Sequence, residues 1–286
     1  MRTGALRALA LCAGVLVILP AACGAQQPSV LDRERDPARL EAAAVAIARS
    51  KDPAAIADLA KHLGQRSFLD RLDPPRASGP ELVRVGRVFR ALAEHPSAAS
   101  ASLCIGLSNS PDFTALPARL NFLLNALAAV RPMSEEAAKI FRSTGRSGYL
   151  EVNGPLLATN ASPNALKVME ELLADESLDA AQRVSVAHWA LLPNRTNAAV
   201  VETCTRLLSA GGVSRNVQVA IAESLYDYQP RQWFGLASGQ PSAPPWSAAS
   251  GATKDLLRSL AASLLRRSDL PPELRTAIQQ TSDVLR

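Results

Sequence analysis

Apolar residues recur at helical spacing along most of the chain. Ile56, Leu59, Ala60 and Leu63 share one helix face, as do Leu82, Val85, Phe89 and Leu92, then Leu120, Leu123, Leu124 and Leu127, then Val200, Cys204, Leu207 and Leu208. No stretch alternates as a strand does. Helix starts are marked by Asp36-Pro37, Asp52-Pro53, Ser110-Pro111 and Ser162-Pro163. There an Asp or Ser oxygen can accept from first-turn amides, and Pro occupies that turn without losing a hydrogen bond. The pattern predicts an all-α protein.

A larger unit repeats: an Ala- and Leu-rich helix end, a short turn with Pro or polar caps, and a second helix. Its five copies begin at Ala46, Ala91, Ala126, Leu156 and Ala190, spaced 45, 35, 30 and 34 residues apart. The wide first interval contains the loop from Leu72 to Pro80. Periods in this range arise when helix pairs bury their apolar faces by stacking on neighbours. With paired antiparallel helices and an Asp or Pro near the turn into the second helix, residues 36–228 resemble HEAT-type repeats. The resemblance implies an αα-superhelix, or solenoid, whose surface suits binding of other proteins. The Trp, Gly and Tyr pattern of tetratricopeptide repeats is missing.

Residues 229–251 break the repeat with a Pro-, Ser- and Gly-rich run and are expected to form a loop. Residues 252–286 then supply two closing helices, with Leu256, Leu257, Leu260, Leu264 and Leu265, and then Leu274, Ile278 and Leu285, on their buried faces.

The N-terminus has a different character. Arg2 and Arg7 precede a short apolar run from Leu9 to Leu19 that ends at Pro20 and small residues, which is the organisation of an export signal and too short for a stable bilayer span. Leu19-Pro20-Ala21-Ala22-Cys23 resembles the lipobox of bacterial lipoproteins, although Pro20 stands where an aliphatic residue is usual. The resemblance implies removal of residues 1–22, lipidation of Cys23, and a tether over residues 23–35. Gly24 in place of an Asp implies the outer membrane in a Gram-negative cell. Cleavage after Ala25, releasing a soluble protein, is the competing outcome.

Composition narrows the function further. The chain has 31 basic and 26 acidic residues; loss of Arg2 and Arg7 with the signal leaves 29 against 26, a net +3. The basic residues are dispersed, which argues against nucleic acid as a partner. Apolar residues make up 48% of the chain but aromatics only 4%, favouring many thin helix contacts over one thick core. Cys104 and Cys204 lie three repeats apart, too far for a disulfide, and read as small buried hydrophobes. Arg greatly outnumbers Lys, and no function follows from that alone.

Tyr226, Tyr228, Trp233, Phe234 and Trp246 gather five of twelve aromatics within 21 residues. They are either anchors for a partner or a plug on the end of the array. Second-helix charges such as Lys167, Glu170, Glu171, Glu202 and Arg206 read as a solvated face of mixed sign. His62, His95 and His188 are scattered, with no ligand set for a metal, and His188 beside Trp189 reads as a packed histidine. The nucleophile, zinc-protease and phosphate-cradling motifs are missing, so no catalytic residue and no cofactor is expected. Asn160-Ala-Ser162 and Asn194-Arg-Thr196 match the glycosylation acceptor pattern, for which chance matches are common and which a bacterial source usually leaves unmodified. The expected function is therefore an exported, lipid-anchored scaffold or adaptor that binds envelope proteins. Rivals are a ligand- or glycan-binding module using the aromatic loop and, third, an envelope enzyme on a helical toroid.

Overall fold

A computed structural model describes residues 29–74, 82–209, 212–226 and 243–286. The helices in chain order are α1 (Val30–Arg33), α2 (Pro37–Ser50), α3 (Pro53–Leu63), α4 (Arg66–Leu72), α5 (Val83–Glu94), α6 (Ala98–Ser108), α7 (Pro111–Thr114) and α8 (Pro117–Ala129). They continue as α9 (Glu135–Thr144), α10 (Leu150–Asn160), α11 (Pro163–Ala174), α12 (Ala180–Leu191), α13 (Ala198–Ser209), α14 (Arg215–Leu225), α15 (Gly251–Leu265) and α16 (Pro272–Val284). Among the described residues there is no strand, so the protein is all-α.

All four Pro-marked positions begin helices, but only the aspartates cap them in the expected way. Asp36 accepts from the amides of Ala38 and Arg39 at 3.1 and 2.9 Å, and Asp52 from Ala54 at 3.0 Å. The two serines are drawn into tertiary bonds instead. Ser110 donates to the Gly64 carbonyl at 3.3 Å, and Ser162 donates to Asn160 Oδ1 at 2.5 Å while accepting from the Met133 amide at 3.1 Å. Asn160 completes that knot by donating to the Ala128 and Val130 carbonyls, and at 3% exposure it is no glycan acceptor.

Two successions of neighbouring helices organise the packing. In one, α2 contacts α5, then α5 contacts α8, α8 contacts α10, α10 contacts α12 and α12 contacts α14. The other runs α3 to α6, α9, α11, α13 and α15. The five copies of the sequence unit end α2, α5, α8, α10 and α12, all members of the first succession. Small side chains make close helix contact possible: Ala44, Ala48, Ala126, Ala158, Ala187 and Ala190 are fully buried, and one core cluster runs from Leu31 to Leu285. Between α9 and α10 the chain does not stop but passes through a π turn, Gly145–Tyr149, in which Gly148 takes a φ of 95° that favours glycine.

Arginines close many helix ends in this packing. Arg183 reaches the Leu173 carbonyl at the end of α11, Arg275 the Leu265 carbonyl at the end of α15, and Arg258 the carbonyl of Leu285 just beyond α16. The last carbonyls of a helix lack partners within it and carry partial negative charge, so a guanidinium with several fixed donors suits them. The preference for Arg over Lys thus has structural work to do in this fold.

The expected tether is shorter than its sequence boundary. Residues 29–35 are docked, because Leu31 is fully buried, Arg71 donates to the carbonyls of Leu31 and Glu34 at 3.0 and 3.1 Å, and His62 bonds Asp32 at 3.0 Å. A polar segment that carries one buried leucine and an N-capping serine is held by contacts from α3 and α4 that its own composition does not reveal. Cys23 and the signal lie outside the described residues. Among those described, no helix is long and apolar enough to cross a membrane.

Candidate functional site

Of the five aromatics proposed as partner anchors, Tyr228, Trp233 and Phe234 lie outside the described residues. Tyr226 does not serve as a surface anchor. It ends α14 at 1% exposure, and its hydroxyl donates to the Leu257 carbonyl of α15 at 2.8 Å. Its own carbonyl accepts from Thr281 of α16 at 3.1 Å, so one residue ties α14 to both closing helices. Burial pushes its phenol well above the ordinary range. Helical periodicity carried past Leu225 would have placed Tyr226 in the core, which is the plug alternative for this residue.

Trp246 is half-buried on a short 3-10 turn, Trp246–Ala248. The guanidinium of Arg195 lies 4.0 Å from its ring centroid and donates to the Pro244 carbonyl at 2.9 and 3.2 Å. Stacking a buried Arg on the indole face is an attraction of about 1–2 kcal/mol. Trp246 is thereby held against the turn that follows α12, so it contributes to packing at this end of the protein.

Two histidines that looked isolated in sequence have carboxylate partners. His188 Nε2 lies 2.8 Å from Glu223 Oε2, joining α12 to α14 in a nearly buried pair. The adjacent hydroxyl, Ser224, donates to the Ala220 and Ala187 carbonyls at 2.7 and 3.3 Å, so it is committed to backbone rather than to His188. The pair reads as an interhelical lock. A lone acid within the apolar run Val217–Leu225 was the available signal for it. His62 sits between Asp32 and Asp58, with its ring nitrogens 3.0 Å from Asp32 Oδ1 and 2.8 Å from the Asp58 carbonyl. Among the described residues no group of three or more His, Cys, Asp or Glu side chains is placed to hold a metal ion.

The mixed charges of the second succession are partly consumed by each other. Arg142 of α9 bonds Glu171 of α11 at 2.7 Å and Glu135 of its own helix at 2.8 Å, and Arg206 of α13 reaches Glu170 of α11 at 3.1 Å. These charges form an interhelical ladder on a solvated face and leave little field to select a ligand.

The first succession holds a half-open groove of about 530 Å³ between α5 and α8. Val83, Gly86 and Phe89 of α5 and Phe122 of α8 supply its apolar surface, while Arg87, Arg90 and Asn125 stand around it. Gly86 has no side chain because the Phe122 ring is there: a Cβ would sit 3.0 Å from the ring edge. The start of α5 is fixed by Asp73, a buried carboxylate just past α4 that accepts from the amides of Arg84 and Val85 at 3.2 and 2.9 Å. Arg87 binds Glu41 of α2 at 2.8 Å, and that bond raises its guanidinium pKa further. The groove was not expected from sequence. An isolated Gly inside a helical stripe and a Phe off the leucine stripe of α8 were the available signs, and only helix packing brings them together. Comparison with family models, curated proteins and solved structures finds no match to this chain.

Proposed function

We propose that this chain is an exported, lipid-anchored α-solenoid of HEAT-like character that binds other proteins of a bacterial envelope as a scaffold or adaptor. The observation that supports this reading most is the ordered succession of neighbours, in which α2, α5, α8, α10, α12 and α14 on one side, and α3, α6, α9, α11, α13 and α15 on the other, each contact the next. Arrays built this way present extended surfaces to partners rather than one deep cleft. A groove with an apolar floor and a polar rim on such a surface is consistent with a protein partner. The step from fold to binding is by analogy with other repeat proteins.

Anchoring rests on the Leu19–Cys23 segment. In that reading five residues, Gly24–Pro28, separate the lipidated Cys23 from the docked Ser29, a span of at most about 20 Å. The α1 end of the array would therefore face the bilayer, leaving the later helices for partners.

In-cell crosslinking of the tagged protein, followed by mass spectrometry, tests this beside a Cys23→Ala variant. A reproducible envelope partner, captured by the native protein and lost or changed when Cys23 is replaced, is the expected result. Capture of nothing specific, together with identical fractionation of both forms, would overturn the anchored-adaptor reading.

A further inference from the structure

We propose that the groove between α5 and α8 is the seat for an acidic amphipathic helix of a partner protein, with its apolar side chains on Phe122, Gly86 and Val83 and a carboxylate on Arg90. This rests on the protein-binding reading above and names the partner's chemistry. The floor is apolar and in part uncovered, since Val83 is 45% exposed and is among the few large hydrophobics left in water among the described residues. The Phe122 ring lies against the bare backbone of Gly86 instead of standing out from the surface, so the floor is shallow enough for an incoming side chain to reach.

Charge selects the occupant. Arg84, Arg87 and Arg90 follow one another at helical spacing. The nearby carboxylates serve the first two: Glu41 lies 3.5 Å from Arg84 and 2.8 Å from Arg87, and Asp73 lies 3.8 Å from Arg84. Arg90 is exposed and has no ion-pair partner among the described residues, and none of the described residues that line the groove is acidic. A carboxylate beside apolar side chains therefore completes the site, and a basic partner is repelled. The groove follows α5 from Leu82 to Ala93, about 16 Å of helix, which matches an occupant of about three turns laid along it. A second groove, with Ile105, Leu127 and Met133 in its wall, has Glu136 on its border and no cation among the described residues that line it, so it offers no such complementarity.

The test uses the purified full chain and two fluorescein-labelled helical peptides, one with leucine on one face and glutamate on the other, its twin with lysine in place of glutamate. Anisotropy titration should show binding of the glutamate peptide, at least tenfold weakening by Arg90→Glu, and a switch of that variant toward the lysine peptide. Phe122→Ala should weaken the glutamate peptide too, and circular dichroism should confirm that both variants keep native helicity. The proposal is overturned if the glutamate peptide does not bind, if Arg90→Glu leaves its affinity unchanged, if the native protein takes both peptides equally, or if dodecanoate binds and the peptide does not. Capture of the same envelope partner by native protein and Arg90→Glu in cells would overturn the groove assignment while leaving the adaptor reading intact.

Discussion

Gly154 of α10 lies against Val186 of α12 so closely that a Cβ on Gly154 would overlap the valine side chain. Val186 is 1% exposed and so has little room to retreat. Alanine at 154 gains about 1 kcal/mol of helix propensity over glycine but forces overpacking of about 1–3 kcal/mol. We expect Gly154→Ala to lower stability by about 1 kcal/mol on balance, and Gly154→Val by more. Urea denaturation of the single variants, Val186→Ala and the double variant should show positive coupling, with Val186→Ala rescuing part of the Gly154→Ala loss. Simple additivity would mean that the two residues do not share this contact in solution.

Tyr226 offers a test of packing against partner binding. Tyr226→Phe leaves the buried Leu257 carbonyl without this donor, a loss of about 1–2 kcal/mol, and Tyr226→Ala should remove about 3–5 kcal/mol by leaving a cavity among α14, α15 and α16. Thermal melts check both. A melting temperature unchanged in Tyr226→Ala would return the residue to the surface and revive its role as an anchor.

Acid should loosen the docking of α1. The hydrogen bond from His62 is the chief reason that the Asp32 carboxyl is held below its ordinary value of 3.8. A depressed carboxylate pKa means that the contribution of Asp32 is present above the unfolded value, about 4, and is lost as pH falls through the lower folded value. The stability difference between native protein and Asp32→Asn should therefore close as pH drops below about 4. His62→Ala should make the Asp32→Asn difference small at every pH. A gap that widens below about pH 4 would contradict this sign.

Both described thiols should be silent in the native state. Cys104 and Cys204 are fully buried, and burial pushes each thiol up to about 12, against about 8.5 for an unfolded cysteine. Ellman's reagent at mildly alkaline pH should react with them at the rate of unfolding, and promptly in denaturant. Rapid native reaction of a variant in which Cys12, Cys23 and Cys104 are all replaced by alanine would show that Cys204 is accessible.

Local patterns were legible in the sequence because they depend on residues a few positions apart. The stripes Ile56–Leu63 and Val200–Leu208 are helix faces, Asp36 and Asp52 cap where they stand, and the recurring units do end α2, α5, α8, α10 and α12. Capping bonds and turns of 3.6 residues are short-range properties, so composition and spacing decide them. The candidate sites were legible only in fragments: a lone Gly86, an off-stripe Phe122, an acid at 223 inside an apolar run.

Tertiary structure decided the rest. His188 meets Glu223 across 35 residues, His62 meets Asp32 across 30, Ser162 leaves its cap for Asn160 and Met133, and Tyr226 turns inward to Leu257. The groove exists because α5 and α8 lie side by side with a glycine under a phenylalanine. Which flank a helix turns toward a neighbour some thirty residues away follows from the fit of whole surfaces, and a few side-chain volumes decide that fit. Periodicity determined that this chain is helical; packing determined which of its polar and aromatic groups meet.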